Sequence, residues 1–541
     1  SKILLSRCSR HAALISFVTV RRSKRNAARI LADLAASSRT SDSYDSLARE
    51  YSDAVVSSVG TDKRSMESIG TNDALAVFDD WIIADMLGRA LDGTLHAADA
   101  QNELNVRLHT HWFEGYAPQY EALAAAAATL EGIEAYKKEC TAATTERKIF
   151  DAYCANWYRI DEEYRCFVNA MRNATAQFRR RANELVSKVD DAYGKFLVDL
   201  TDRWQLHLMD SGVYPPSTIP SQSGFFYEKV EKELPTAEKG KRLGVIVSDA
   251  MRYEVGADLS ARIAGGVLSS GRTLVSASYE GMACMLPSYT QLGMAALLPE
   301  GTMEVDLATA NVLKDGDATD GLVNRQKVVE AAIPGAMLIQ ASKVLEEGLP
   351  NVEGAPLVMV YHNAIDKRGD SRDTEGEVFA ACEDAITQVM KIAGELLRAG
   401  CGKVLVTADH GFLYQDGQVE EYNFAAADGL TDLAHASGHD FSHGRRYVMG
   451  LTLPKSDVLI EYSSAQLSLG GEGKFAFPRG ITRLRLRGSG SRYVHGGVSP
   501  QENVVPVVTI KRVDARQTAE CTGVQGLPLR KARYYRLDGD P

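Results

Sequence analysis

Apolar residues recur at helical spacing over much of the first half of the chain. The clearest set stands three or four positions apart and consists of Trp157, Ile160, Tyr164, Phe167 and Met171. This spacing places the five side chains on one face of a helix, where they pack as a core. Very few glycines or prolines interrupt the stretch from 73 to 209. The pattern predicts an all-α helical domain over residues 61–210.

The pattern changes in the second half of the chain. Leu243–Val247, Leu357–Tyr361 and Val404–Thr407 are short apolar runs rich in β-branched residues. Amphipathic segments such as Glu375–Arg398 separate them. Short buried strands that alternate with helices are typical of an α/β fold with a mostly parallel sheet. In such a sheet, ligands bind at the carboxyl ends of the strands.

Composition divides the chain further. Residues 211–223 contain three prolines and several serines, which indicates a linker between the helical domain and an α/β domain over 224–515. Residues 1–60 carry basic clusters and are interpreted as an N-terminal segment belonging to a truncated upstream region. Residues 516–541 are interpreted as a C-terminal tail.

Charge and cysteine usage limit the function classes. The net charge of −10 excludes a surface that is basic throughout, although a local basic patch remains compatible with it. The 8 cysteines form no C-x-x-C pair, which indicates reduced thiols and a cytoplasmic location. The apolar stretch Ala12–Val20 is too short to cross a membrane. We therefore expect no membrane association.

Acidic residues and histidines follow the predicted strands. Asp249 comes directly after the first apolar run, and the adjacent Asp409 and His410 follow the third. Asp366 and Asp370 come after the second run, four positions apart. A carboxylate next to an imidazole suits Zn²⁺ or Mn²⁺. Each aspartate alone could equally cap a helix.

His495 completes this set of candidate metal ligands. It precedes two glycines, which allow close approach of the backbone. The following Ser499 and Glu502 have the spacing of a capping box, so we expect them to be structural. His435, His439 and His443 are spaced by four, which is compatible with a rival metal site or with a loop that reaches the substrate. Gly438 argues against a stable helix there.

Five motifs in this order resemble the PglZ family, over about residues 240–510. They are DAMRYEVG, LPSYTQLGMAALLP, YHNAIDKRGD, TADHGFLYQ and HGGVSPQENVVPVV. The resemblance implies an alkaline-phosphatase-like core that binds two divalent metal ions. By motif, one ion would be held by Asp249, Asp409 and His410, and the other by Asp366, Asp370 and His495. The superfamily usually has histidine where this chain has Asp370. An aspartate at this position favours Mn²⁺ or Mg²⁺ over Zn²⁺ as the second ion.

The same resemblance implies a hydroxyl nucleophile. Thr290 in PSYTQLG stands at the matching position, although the Asn-His that usually follows is absent. Ser288 is the second candidate, and a third alternative is that either hydroxyl only caps a helix. A bound metal activates such a hydroxyl by lowering its pKa.

Arginines supply candidate substrate contacts. Arg252 could bind a substrate phosphate in bidentate fashion, or form an ion pair with Glu254 or another acid. Arg483, Arg485 and Arg487 alternate with apolar residues, so on a strand they share one face. That row could hold a polyanionic backbone such as DNA, or pair with the acids of the protein itself.

The sequence therefore predicts a two-metal phosphohydrolase, a phosphodiesterase or nuclease-like enzyme rather than a monoesterase. The PglZ resemblance implies a role in a bacterial BREX-type phage-defence system. Expected partners are other defence components including a DNA methyltransferase, with DNA as a candidate ligand. The alternative is an assembly or adaptor subunit that keeps a low-turnover phosphatase-like core for binding.

Overall fold

The fold was analysed in a computed structural model of the chain. It describes residues 73–234, 242–264, 274–417, 441–453, 456–484 and 491–513, with isolated positions between 42 and 52 and at 419, 424 and 425. His435, His439, Arg485 and Arg487 lie outside the described residues, as do most of the predicted N-terminal segment and all of the predicted C-terminal tail.

The chain divides into two compact units. The first comprises the described residues up to Glu131 together with Cys166–Val189. The second comprises Gly132–Arg165 and the described residues from Asp190 onward. The predicted segment 61–210 is helical in its described part, but its helices are shared between the two units. Helical periodicity shows which face a helix buries and not against which element, so the division into these compact units is not visible in the sequence pattern.

Helices dominate the first part of the described chain and alternate with strands later. The α-helices are α1 Val77–Asp92, α2 Ala97–Arg107, α3 Phe113–Glu139, α4 Glu146–Ala152, α5 Tyr158–Asn173, α6 Ala176–Arg181, α7 Asn183–Ser211, α8 Tyr253–Ala264, α9 Thr290–Ala296, α10 Gly321–Ala332, α11 Ala341–Glu347, α12 Ile365–Gly369, α13 Val378–Arg398 and α14 Pro500–Asn503. None of the described helices is both long and apolar enough to span a membrane.

A six-stranded sheet forms the centre of the second unit, in the order β2-β17-β8-β1-β7-β6. Its strands are β1 Arg242–Ser248, β2 Leu274–Ala283, β6 Met337–Gln340, β7 Leu357–His362, β8 Cys401–Thr407 and β17 Val504–Val513. Strands β8, β1, β7 and β6 pair in parallel, and β17 runs antiparallel to both of its neighbours. The predicted α/β fold with a mostly parallel sheet is confirmed.

The central strands of the sheet are buried. Every residue of β7 is buried, and so are Leu243–Ser248 of β1. Helix α13 packs on one face through a row of apolar residues at helical spacing, and α8 packs against β2 and β17. This explains why the predicted strands are continuous apolar runs and not alternating ones.

Shorter strands surround the main sheet. They are β3 Met303–Val305, β4 Val312–Lys314, β5 Asp317–Ala318, β9 Leu413–Tyr414, β10 Phe424–Ala425, β11 Phe441–His443, β12 Val448–Gly450, β13 Leu459–Ser463, β14 Lys474–Pro478, β15 Arg483–Leu484 and β16 Tyr493–Val494. Strands β11, β12, β14 and β13 form an antiparallel sheet, and β9 pairs with β16. The β9–β16 pair ties the segment after His410 to the segment that carries His495.

The segment predicted as a linker is packed against the α/β core. Helix α7 ends at Ser211, which agrees with the predicted end of the helical part. Beyond it, Tyr214 and Gln222 are buried. Asn503 Nδ2 donates to the Tyr214 hydroxyl at 2.6 Å. Part of the segment 211–223 thus packs against the α/β core, and its role as a linker between two domains stays a prediction.

Candidate active site

The predicted metal ligands meet at the carboxyl edge of the central sheet. Asp249 follows β1, Asp409 and His410 follow β8, and Asp366 lies in α12 just after β7. His495 follows β16, nine residues before β17 begins. Because β17 is antiparallel to β8, its beginning lies beside the carboxyl end of β8. The reversed strand thus brings His495 to the same edge as the three acids.

The first donor group contains Asp249, Asp409 and His410. Their ligand atoms all lie within 4.8 Å of one another, and all three residues are buried. His410 Nε2 is 3.7 Å from Asp249 Oδ1 and 3.5 Å from Asp409 Oδ2. Within the described chain, neither carboxylate oxygen has a hydrogen-bond partner. Two buried oxygens beside an imidazole nitrogen are a donor set that suits a divalent cation.

Electrostatics support the same conclusion. The pKa of Asp249 is raised well above the usual aspartate value, first by burial and then by the charges of Asp409 and Asp366. Arg325 acts in the opposite direction on this pKa. Carboxylates this close and this buried need a compensating positive charge to stay ionised. A bound cation would supply that charge, so the residues fit a metal.

The orientation of His410 is fixed by the main chain. Its Nδ1 donates to the carbonyl oxygen of Gly411 at 2.9 Å. A carbonyl only accepts, so Nδ1 carries the proton and Nε2 is left with its lone pair in the neutral ring. Burial lowers the pKa of His410, which keeps the ring neutral. Nε2 is therefore available as a ligand atom.

The second donor group contains Asp366, His410 and His495, whose ligand atoms also lie within 4.8 Å of one another. The two imidazole rings stack with centroids 4.4 Å apart and planes 7° from parallel. His495 Nε2 is 3.8 Å from Asp366 Oδ1. The Tyr493 hydroxyl donates to Asp366 Oδ1 at 2.9 Å and orients this carboxylate. His410 thus belongs to both groups.

Asp370, the other ligand predicted by motif, stands at the edge of this arrangement. Its Oδ1 is 3.8 Å from His495 Nε2, while its side chain is 70% exposed. The interaction with His495 lowers the pKa of Asp370. The pKa of His495 rises to about 9, because its interactions with Asp370 and Asp366 outweigh the effect of burial. Asp370 is therefore close to His495 but outside both compact donor groups, and its role as a ligand stays a prediction.

The predicted nucleophile faces the donor groups. Thr290 is the first residue of α9, and its Oγ1 lies 3.1 Å from His410 Nε2. Since that nitrogen carries no proton, the threonine hydroxyl is the donor. Tyr289 precedes the helix without a side-chain cap, so the alternative in which Thr290 or Ser288 caps α9 is wrong.

Ser288 has a different place. Its hydroxyl donates to Gly497 O at 2.8 Å and accepts from Gly496 N at 3.1 Å. Both partners belong to the loop that follows His495. Ser288 is buried and engaged in positioning this loop, so the geometry favours Thr290 as the nucleophile.

The comparisons with known proteins agree with this geometry. The family model described as the BREX system PglZ alkaline phosphatase-like domain matches residues 225–510, more than half of the chain. The chain belongs to the PglZ family. The match covers every residue of both donor groups and Thr290.

Two curated relatives support the assignment. The alkaline phosphatase-like protein BrxZ of Escherichia coli O9:H4 (strain HS) is 30% identical over 401 residues, which is 71% of this chain and 44% of that protein. The alkaline phosphatase-like protein PglZ of Bacillus cereus (strain H3081.97) is 30% identical over 455 residues, which is 82% of this chain and 50% of that protein. The chain spans about half the length of these PglZ relatives.

Solved structures share only a distant likeness with this PglZ family member. Murine ectonucleotide pyrophosphatase/phosphodiesterase 5 aligns over 50% of this chain and 88% of its own, at 11% identity and a TM-score of 0.32. Phosphonoacetate hydrolase from Sinorhizobium meliloti 1021, in complex with phosphonoformate, aligns over 50% of this chain and 90% of its own, at 12% identity and a TM-score of 0.29.

The structure favours the ion-pair alternative for Arg252 over a substrate contact. The Arg252 side chain is fully buried, and its Nη2 lies 2.9 Å from Asp161 Oδ1. Its Nε is 4.0 Å from Glu254 Oε1. A guanidinium enclosed in this way does not reach a substrate in solution. The partner that decides this, Asp161, is distant in sequence, so the motif around Asp249 did not reveal it.

The structure describes only the first arginine of the predicted row. Strand β15 covers only Arg483–Leu484, and both residues are buried. Burial, followed by the charge of Arg446, lowers the pKa of Arg483 to about 9. Arg446 is itself buried against Glu502 at 3.0 Å. Arg483 is therefore enclosed in the protein and offers no surface for DNA. Arg485 and Arg487 lie beyond the described residues.

Three residues near the PglZ site carried no sequence signal that we recognised. The Arg325 guanidinium lies 4.5 Å above the ring of Tyr361, at the end of β7. Gln222 Nε2 donates to Asp409 O at 2.8 Å and holds the turn after β8. Tyr493 orients Asp366. Of the three, only Tyr493 could have been singled out from the sequence. It stands two positions before His495, and extended residues two apart point to the same side.

The helix after His495 was predicted correctly. Ser499 Oγ accepts from Glu502 N at 3.3 Å, and Ser499 N donates to Glu502 Oε2 at 3.2 Å. This is the predicted capping box at the start of α14. Glu502 also accepts from Gly497 N at 2.9 Å, so the cap fixes the loop that begins at His495.

Proposed function

We propose that this chain is a metal-dependent phosphohydrolase that binds two divalent ions and cleaves phosphodiesters. The observation that supports this is the shared position of His410. His410 belongs to both donor groups, and its Nε2 is the atom that Thr290 Oγ1 contacts at 3.1 Å. The nucleophile thus lies beside the atoms that would hold the ions.

The types of donor atom limit which divalent ions would bind. Asp249, Asp409 and His410 would hold one, and Asp366 and His495 with Asp370 would hold the other. Oxygen and imidazole donors without thiolate fit Zn²⁺ or Mn²⁺. The carboxylate of Asp370 makes Mg²⁺ a further candidate for the second ion. Divalent ions at such a site lower the pKa of a nearby hydroxyl and stabilise charge that develops on phosphoryl oxygens.

The residues of the chain perform the rest of the reaction. Thr290 Oγ1 would attack phosphorus and lose its proton, forming a phosphodiester between Thr290 and the retained alcohol, while the bond to the leaving group breaks and the departing alkoxide takes up a proton. Water would then attack the same phosphorus and restore the Thr290 hydroxyl. The first turn of α9 holds Thr290 in place. The first donor group is buried, whereas Asp366 and His495 are only partly buried, which leaves the second group open to substrate and water.

The positive charge that the described residues offer to a substrate phosphate favours a diester as substrate. Arg252 and Arg483 are buried within the protein, so neither is available to a substrate. Arg325 is the described cation that acts on the Asp249 carboxyl. We assign Arg325 the binding of a non-bridging phosphoryl oxygen. A diester carries one negative charge at the phosphoryl group, which needs less compensation than a monoester dianion.

Family membership supports a cellular role. We propose that the protein acts in the cytoplasm as part of a BREX phage-defence system, together with other components that include a DNA methyltransferase. DNA is a candidate substrate or ligand for this phosphodiesterase. The recognised relatives are about twice as long as the matched region, so partner contacts would also involve residues outside it.

The decisive experiment combines metal analysis with hydrolysis. We expect about two divalent ions per chain by mass spectrometry, hydrolysis of bis(p-nitrophenyl) phosphate in excess over p-nitrophenyl phosphate, and loss of both activities with chelator. Asp409→Ala should remove at least one ion. Full hydrolysis by chelated protein would refute the proposal. Full metal loading without turnover would instead support the adaptor alternative.

A further inference from the structure

Asp161 forms the centre of a buried polar cluster in the second compact unit. It lies on α5, before the residues that match the PglZ family model begin. Its side chain is fully buried. It contacts Arg252 Nη2 at 2.9 Å, the Tyr193 hydroxyl at 2.7 Å, the Tyr153 hydroxyl at 2.8 Å and Gln501 Nε2 at 3.2 Å.

The contact with Arg252 reaches the turn after β1. Arg252 stands three residues after Asp249, and the intervening Ala250 has a left-handed φ of 60°. Ala250 N donates to Asp409 Oδ1 at 3.1 Å. The Arg252 guanidinium also lies 5.2 Å above the ring of Phe412, which follows His410 by two residues. Asp161 thereby constrains both turns that carry the first donor group.

The contact with Gln501 reaches the segment after His495. Gln501 belongs to α14, which the capping box ties to that loop. Gly411 N donates to Glu502 O at 2.8 Å. A Cβ at Gly411 would lie 2.2 Å from Gln501 O, so the two backbones touch directly. A shift of Gln501 would therefore move the main chain beside His410.

We propose that Asp161 is a positioning residue of the metal centre, which it serves through Arg252 and Gln501. The helical segment Gly132–Arg165 is then a working part of the site, although it lies outside the family match. The inference rests on the proposed function only in taking the two donor groups as a metal centre.

The chemistry of the cluster explains why aspartate is required. Burial, followed by the charge of Asp161, raises the pKa of Tyr153 and Tyr193 well above the usual tyrosine value. Both hydroxyls therefore remain protonated donors, and Gln501 and Arg252 also donate. Only an acceptor with two oxygens serves all four groups, and its charge compensates that of the buried arginine.

The test is Asp161→Asn, which keeps the size and replaces one acceptor oxygen with a donor. Mn²⁺ is titrated calorimetrically into chelator-treated full-length protein, at a temperature below the unfolding midpoint of each variant. We expect Mn²⁺ affinity to fall about 10-fold or more, as for other residues that orient ligands. If Asp161→Asn does not fold, Gln501→Leu removes a single contact and should weaken Mn²⁺ binding in the same direction.

The first unit offers a matched control. Asp79 is also fully buried and accepts from Arg107 Nη2 at 2.7 Å and from the Tyr120 hydroxyl at 2.7 Å. Asp79→Asn breaks the same kind of cluster and should lower the unfolding midpoint comparably. It should leave Mn²⁺ affinity unchanged, which separates positioning from a general loss of stability.

The outcomes distinguish this inference from the proposed function. If wild type binds two ions and the folded variants at 161 or 501 bind them equally well, Asp161 is only structural and the inference fails alone. If Asp79→Asn weakens binding as much as Asp161→Asn, the inference also fails. If wild type binds no Mn²⁺, the proposed function and this inference both fail.

Discussion

Gly293 of α9 packs directly on the main chain of Asp409. A Cβ at position 293 would lie 2.3 Å from Asp409 O and 2.8 Å from Asp409 Cβ. The helix that begins with Thr290 therefore rests on the turn that carries the first donor group. We expect Gly293→Ala to push α9 away from Asp409 and to lower kcat on bis(p-nitrophenyl) phosphate by about 100-fold, since displacements of this size at remote positions cost that much.

Gly88 provides the control for this substitution. It also lies within a helix, and a Cβ there would meet nothing within 4 Å. Gly88→Ala should therefore leave activity unchanged and stabilise the protein by about 0.5–1 kcal/mol, measured as a rise in the unfolding midpoint. Wild-type turnover in Gly293→Ala would show that α9 does not position the nucleophile.

Thr290 and Ser288 should separate clearly in activity. Thr290→Ala removes the nucleophile and should reduce kcat by about 1,000-fold or more, with folding and metal content intact. Thr290→Ser keeps a hydroxyl and should retain measurable turnover. Ser288→Ala removes two hydrogen bonds to the loop after His495 and should act mainly on stability, by about 1–3 kcal/mol. A larger kinetic effect at 288 than at 290 would transfer the role to Ser288.

Sequence reasoning succeeded where chemistry is coupled to local structure. Asp249, Asp409 and Asp366 follow buried parallel strands, and such strands end at a common edge. Their meeting there could be predicted without knowing any long-range contact. The capping box of Ser499 and Glu502 was equally local, because its two residues stand three positions apart.

The sequence left the outcome open where a distant partner decides it. The charge of Arg252 is visible in the sequence, but its ion pair with Asp161, which lies on α5, is not. Arg483 alternates with apolar neighbours as an edge strand would, yet Arg446 and the β15 packing enclose it. Tyr214 lies in a proline-rich stretch that is typical of a linker, yet it is buried and its hydroxyl accepts from Asn503. In each case the sequence shows the chemical type of the residue but does not show which distant residue it contacts.

Arg325 should contribute to substrate binding. Its guanidinium stacks on Tyr361 at the end of β7, and within the described chain its Nε has no hydrogen-bond partner. Arg325→Gln should weaken competitive inhibition by inorganic phosphate by about 10- to 100-fold, the value of a charge-assisted hydrogen bond. Arg325→Lys keeps the charge and should lose less. Lys327→Gln, an exposed position on the same helix, serves as the control; unchanged phosphate inhibition in Arg325→Gln would exclude the contact.

Tyr493 should control the second ion through Asp366. Its hydroxyl donates to Asp366 Oδ1 at 2.9 Å, and burial, followed by the charge of Asp366, raises the pKa of Tyr493 well above the usual tyrosine value. The phenol therefore remains a donor at any pH at which the protein is assayed. A Cβ at Gly369 would lie 2.5 Å from the Tyr493 ring, so α12 packs directly on it.

Tyr493→Phe keeps this packing and removes only the hydrogen bond. Without it, Asp366 is free to rotate, and we expect a loss of about 10- to 100-fold in affinity for one of the two ions. Calorimetric titration of Mn²⁺ into chelated protein should resolve a weakened site beside an unchanged one. Tyr462→Phe, which alters a tyrosine of β13, should leave both affinities as in wild type. Equal weakening of both ions in Tyr493→Phe would show instead that the two donor groups respond as one unit, because they share His410.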